Sequence, residues 1–152
     1  KFWSEMIRNI NRYSGKSDTS KGLREYVLSR MSFVANNLGV LMEDTGAKGE
    51  AFAAYSRSVE LNRDNISAHL NMKVMTDSGF AKDKSADVDK ALKEAVGRRA
   101  GRANVWSLAR HNVYVRMPIS CVQLGWTWAL SGQPGLAVTG FNKAMEMAPQ
   151  EV

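Results

Sequence analysis

Scarcity narrows the choices first. A single cysteine, Cys121, occurs in 152 residues, so an internal disulfide is excluded and a reducing, cytoplasmic setting is the expectation. The two histidines, His69 and His111, stand far apart with no cysteine or acidic cluster at ligand spacing. A transition-metal site is therefore not expected. No stretch approaches the roughly 18 consecutive apolar residues that a membrane-spanning helix needs. No strand-like alternation stands out, and only 112–117 reads as an extended candidate. Acidic residues are missing altogether between Glu94 and Glu146.

What is present is helical spacing. Phe2, Trp3, Met6, Ile7 and Ile10 form one stripe over 1–13. That stripe suits a helix packed on a neighbour better than one lying on a membrane. A loop follows at 14–20. Its Gly15-Lys16-Ser17 is similar to the end of a phosphate-binding loop, but Ile10 stands where the earlier glycine is required and a helix precedes it. Leu23, Tyr26, Val27, Met31 and Val34 mark a second helix, which runs into or bends at a further element near Ser32. Helices are expected over about 33–45 and 48–62, with Asp64 or Asn65 capping the next.

One pattern occurs twice. Leu38-Gly39 is followed by Gly46, Ala51, Tyr55 and Ser58, and Leu124-Gly125 by Gly132, Ala137, Phe141 and Ala144. From the Leu-Gly glycine the offsets are 7, 12, 16 and 19 in both copies, and the second copy closes on Pro149. Identical spacing implies an internal repeat. Gly39 and Gly125 let two backbones approach, Ala51 and Ala137 are the small partners opposite, Tyr55 and Phe141 fill the seam, and Gly46 and Gly132 end helices.

This spacing resembles the tetratricopeptide repeat, a 34-residue helix–turn–helix unit. The match covers 32–65 and 118–151. It departs from the pattern at Ala35 and Cys121 (tryptophan position), Met42 and Trp128 (tyrosine position) and Arg63 (proline position). The resemblance implies an all-α fold, a short right-handed solenoid of antiparallel helix pairs with an extra N-terminal helix and a helical insertion. The organisation expected is N-terminal helices at 1–31, a repeat at 32–65, a degenerate repeat at 66–99, an insertion at 100–117 and a repeat at 118–152. Val88, Ala91, Leu92 and Ala95 stripe the degenerate unit, while Val105, Trp106, Ala109 and Val113 suit a helical insertion. A second parse makes 103–116 the repeat helix and 78–101 the insertion. The chain starts at Lys1 and stops where another unit would begin, so it reads as a piece of a longer protein.

The resemblance also implies a function: a protein–protein interaction scaffold whose first helices line a concave face for a peptide or helix. That face would carry Asn36, Val40 and Glu43, then Leu70, Val74 and Asp77, then Val122, Trp126 and Ala129. Trp126 should be accessible, and Trp128 should be buried in the seam. In a carboxylate-clamping groove Asn71 could match the middle asparagine, but Asn36 and Val40 stand where the lysine and asparagine of a lysine-x-x-glycine-asparagine pattern belong and Ile119 and Gln123 replace the basic pair, so a C-terminal carboxylate is not the expected ligand. An apolar or amphipathic helix, from another protein or from the parent chain, fits better.

Other chemistry is thinly supplied. Glu43-Asp44 and Asp87/Asp89 read as solvated helix ends, and no nucleophile motif appears. Catalysis, a metal and a cofactor are not expected. Asn65-Ile66-Ser67 matches a glycosylation acceptor, which matters only in a secreted protein. The acid-free window gathers Arg98, Arg99, Arg102, Arg110 and Arg116 within a chain of net charge +6. A basic surface for nucleic acid or anionic membrane is thus one alternative. A structural, orienting domain of a larger enzyme or secretion machine is another.

Overall fold

A computed structural model describes residues 2–13, 18–99 and 118–147. Among them 87% are helical and none is in a strand. In chain order the elements are α1 (Phe2–Tyr13), α2 (Asp18–Asp44), α3 (Lys48–Leu61), α4 (Ile66–Asp77), a 3₁₀ turn (Lys82–Lys84), α5 (Ser85–Gly97), α6 (Pro118–Leu130) and α7 (Pro134–Met147). The 100–117 segment, with Arg102, Arg110, His111 and Arg116, lies outside the described residues.

The second helix does not break at Ser32. It runs unbroken for 27 residues. A mid-helix serine can compete for its own backbone, but here the Ser32 hydroxyl is turned outward. It donates to the Ser58 carbonyl at 2.8 Å, and the Ser58 hydroxyl returns a bond of 2.8 Å to the Ser32 carbonyl.

Three helix pairs are closed by one turn. After α2 the amide of Gly46 donates to Glu43 and that of Ala47 to Met42; after α4 Gly79 donates to Thr76 and Phe80 to Met75; after α6 Gly132 donates to Ala129 and Gln133 to Trp128. This is the Schellman arrangement, which needs a left-handed residue just past the helix. Gly46, Gly79 and Gly132 supply it, with φ of 81°, 92° and 72°. The chain thus reverses into hairpins α2–α3, α4–α5 and α6–α7. The middle one has an extra 3₁₀ turn, entered through Ala81 at φ 49°, before α5 begins.

At the crossings the glycines meet rings rather than alanines. A Cβ on Gly39 would lie 2.5 Å from the Tyr55 ring, and one on Gly125 would lie 2.7 Å from Phe141. Ala51 and Ala137 are buried beside them. In α6–α7 the backbones come closest at Gly140, where a Cβ would sit 3.1 Å from Gly125 Cα and the Cys121 carbonyl. The first hairpin has Ala54 at that place.

Packing collects in three clusters. Val40, Ala51, Phe52, Tyr55, Met75 and Val88 join the first hairpin to the second. Ile66 and Ala95 close the inside of the second, with Leu70, Leu92 and Val96 around them. Trp3, Met6, Ile7 and Ile10 of α1 pack on Met31, Ala35 and Leu61, covering the start of the first hairpin.

Candidate interaction surfaces

The residues expected on a concave face divide in two. Asn36 is fully buried and accepts a 3.0 Å hydrogen bond from the Asn71 side chain, which is buried too. Val40 is only 9% exposed. Neither can touch a ligand, which corrects the expectation for both. The physical reason is that the second hairpin lies directly over them, so Met75 and Val88 occupy the space a ligand would need. Glu43 is half-buried and holds the Tyr55 hydroxyl at 2.9 Å. Leu70 and Val74 are half-buried. Asp77 is exposed and paired with Lys73, which reaches Asp89 at 2.9 Å as well. These two carboxylates, Asp89 first, raise the Lys73 pKa.

The last hairpin differs. Val122 is half-buried, Ala129 is exposed, and Trp126 is 59% exposed, with its indole edge-on to Phe141 at 5.8 Å between centroids. Trp128 is half-buried rather than enclosed in the seam, because Phe141 already fills the space beside Gly125. Ile119 and Leu130 are exposed too, and α6 contains no charged residue. Across α7, Leu136, Val138 and Met145 are exposed. A helix on an ordinary protein surface carries a polar, often charged stripe; that of α6 is uncharged, with Ile119, Trp126 and Leu130 beside Gln123 and Thr127.

A second apolar stripe was missed at the sequence level. Leu23, Tyr26, Val34 and Leu41 are 58–64% exposed and fall along one side of α2 at helical spacing, with the exposed Arg30 and Asn37 between them. Leu23, Tyr26 and Val34 had marked this helix by their spacing, without saying which of its sides is covered. Near its start, α2 forms an apolar groove with α1, lined by Met6, Ile10, Leu23 and Val27.

The basic cluster is partly neutralised. Arg98 donates from Nε to Asp64 at 2.8 Å and from Nη2 to the Arg63 carbonyl, and Arg99 stands 3.7 Å from the same carboxylate. The window free of acids in sequence is therefore not free of them in space. Asp64 belongs to the α3–α4 turn, which the end of α5 approaches. This corrects the reading of Arg98 and Arg99 as an uncompensated cationic surface.

Behind that turn lies a buried polar knot. Asn65 donates from Nδ2 to the hydroxyls of Ser32 and Ser58, each at 2.9 Å, and its Oδ1 accepts from the Ala68 amide as the N-cap of α4. All three side chains are fully buried. With its amide so committed, Asn65 offers no glycosylation acceptor in the folded protein. His69 lies one turn on, with Nε2–H donating to the Arg63 carbonyl at 3.0 Å. Burial pushes its pKa below the ordinary 6.5, and the Arg98 guanidinium adds to this, against the opposing pull of the Arg63 carbonyl and Asp64. Among the described residues no group of His, Cys, Asp and Glu side chains is placed to hold a metal, and no helix is long and apolar enough to cross a membrane.

No family model matches the chain, nor does any curated protein or solved structure.

Proposed function

We propose that this chain is a protein-interaction module of tetratricopeptide type, a short array of antiparallel helical hairpins with no chemical step of its own. Its ligand is an apolar or amphipathic helix. Support comes from the shared Schellman turn, from the glycine–ring contacts at two crossings and from the packing of the second hairpin on the first. The observation that carries the reading is the uncharged α6, whose Ile119, Trp126 and Leu130 are 52%, 59% and 85% exposed. Large apolar side chains exposed together on an uncharged face, here with Gln123 and Thr127 between them, mark a place where another macromolecule can sit. The ligand surface is then the α6–α7 hairpin, because Asn36 and Val40 are already covered.

The test is a titration with a synthetic amphipathic helix of about twenty residues, long enough to hold helical structure, beside a control of scrambled apolar order. Saturable change in tryptophan emission, lost in Trp126→Ala, is the expected result. Equal response to the scrambled control, or no saturation, overturns the reading.

One contact favours a second reading, that of an orienting domain in a larger assembly. Lys143 of α7 bonds Asp44 at the end of α2, tying the last hairpin to the first. Asp44→Ala should then alter the spacing of the two hairpins in small-angle scattering.

A further inference from the structure

The open faces of the molecule become informative when each is compared with its covered counterpart. The shared turn glycine gives a common ruler. Counting back 10 residues from Gly46 reaches Asn36, and from Gly132 it reaches Val122. The same ruler pairs Val40 with Trp126, Phe52 with Val138 and Val59 with Met145. In the first hairpin these positions lie under α4 and α5: Asn36 is 0% exposed, Val40 9% and Phe52 7%. In the last hairpin Trp126 is 59% exposed, Val138 55% and Met145 44%. One face is covered, while its counterpart is exposed except at half-buried Val122; both are apolar apart from Asn36.

The other half of that interface has a bare counterpart as well. Helix α4 lays Ser67 and Asn71 against the first hairpin, at 0% and 1% exposure. Counting back from Gly79, these correspond to Val34 and Leu38 in α2, and Val74 corresponds to Leu41. Val34 is 58% and Leu41 60% exposed, and Leu38 between them is half-buried. The molecule therefore carries both halves of an interface that it already makes internally. The halves also match in polarity: the buried Asn36–Asn71 hydrogen bond corresponds to Val122 on one face and Leu38 on the other. Each apolar residue alone would strand a buried amide, at a cost of about 1–3 kcal/mol, while the two together match.

We infer that this protein associates with a second copy of itself head to tail, the α2 stripe of one copy stacking on the α6–α7 face of another as α4 stacks on α2–α3. The inference rests on the hairpin-array reading above and names the occupant of its open end. The contact is heterologous, so each copy uses two different surfaces and assembly goes past a pair, to a ring where the rotation closes and to an open chain where it does not. Trp126 is the anchor, since it is the largest side chain on the open face and the covered position is filled by Val40, a smaller one. The Lys143–Asp44 contact lies at the end of the α2 stripe and leaves Leu41 exposed.

The experiment is sedimentation over roughly 1 μM to 1 mM, the range where weak stacking contacts are populated. The parent chain should show a mass that climbs with concentration past the dimer. Trp126→Glu and Leu41→Glu should each stay monomeric, with circular dichroism confirming unchanged helicity. Mixed in equal amounts they should form a one-to-one pair and go no further, because each retains the surface that the other has lost. A parent that stays monomeric, or stops at a symmetric dimer that the mixture fails to rebuild, overturns the inference. If Trp126→Glu loses helicity, Val138→Lys takes its place. A monomeric parent that still binds the synthetic amphipathic helix would sink self-association while leaving the interaction-module reading intact; failure of both would sink the two together.

Discussion

The first and last hairpins use the same local solution and differ in what covers them. Both reverse through a left-handed glycine, and both set a glycine against an aromatic ring. Yet Val40 is 9% exposed and its counterpart Trp126 59%. Spacing along the chain settles how a helix pair closes. Whether its outer face is core or surface depends on the neighbour, and no residue within the pair encodes that. The first hairpin is also tied by hydroxyls, Ser32 to Ser58, where the last has Pro118 and Ala144.

The largest effect should come from placing a charge at the covered and bare positions in turn. Val40→Glu buries a carboxylate under the second hairpin and should cost about 3 kcal/mol or more, since desolvating an unpaired ion costs several kcal/mol. Trp126→Glu should stay within about 1 kcal/mol, the loss of one edge-on aromatic contact. Urea unfolding of both variants measures the gap; equal costs would mean that the two faces do not differ.

Next come the crossings. Gly39→Ala and Gly125→Ala each drive a Cβ into a ring, and overpacking of this kind costs about 1–3 kcal/mol. The first should cost more. Tyr55 is fully buried and anchored on Glu43, whereas Phe141 is half-buried and can yield. Melting temperatures that rank the other way would show that the last hairpin is the more tightly packed.

Asn65→Ala removes a helix cap and the amide that donates to both buried hydroxyls, each of which still donates to a carbonyl. A loss of about 1–2 kcal/mol is expected, confined to the first two hairpins. Hydrogen exchange localises it: α6 and α7 amides should keep the parent's protection.

A smaller effect follows pH. His69 titrates below 6.5 when folded, so the unfolded chain takes up the proton first. Its contribution is complete above 6.5 and is lost as pH falls below that value toward the lower folded pKa. Against the parent, His69→Gln should flatten stability between pH 7 and pH 5 (roughly the range over which histidine titrates). An unchanged pH profile would mean that the ring is solvated in the native state.

The smallest effect belongs to Arg98→Gln. It breaks an ion pair whose side chains are 45% and 33% exposed. Such pairs contribute about 0–1 kcal/mol and weaken with salt. A cost that persists in high salt would point to the Arg63 carbonyl as the partner that matters.

Much of this fold was readable from spacing. Gly46 and Gly132 marked turns because a left-handed residue is needed there, and Asn65 was one of two candidates for the cap it forms. Gly79 closes the middle hairpin in the same way but went unused, because Met72 stands where the other hairpins have their crossing glycine. Gly140 escaped notice since its role is a backbone contact across helices, which leaves no periodic trace. Asn36 was placed on an open face because the repeat resemblance assigns that position to the groove, whereas its partner Asn71, 35 residues away, covers it. Sequence separation likewise hid Asp64 from the arginines it neutralises. Asn36 and Asp64 escaped because their partners lie in another element far along the chain, whereas Gly79 and Gly140 act within a single hairpin and escaped for want of a matching spacing.

The shared turn has a kinetic consequence. Each helix pair is closed by a linker of only a few residues, so the entropy of bringing its two helices together is small and is met locally. Chains whose contacts are mostly local fold quickly, often in microseconds to milliseconds. The slow event is then the docking of one finished hairpin on the next, which makes the side-by-side contact of α4 with α2–α3, rather than any single helix, the step at which assembly can go astray.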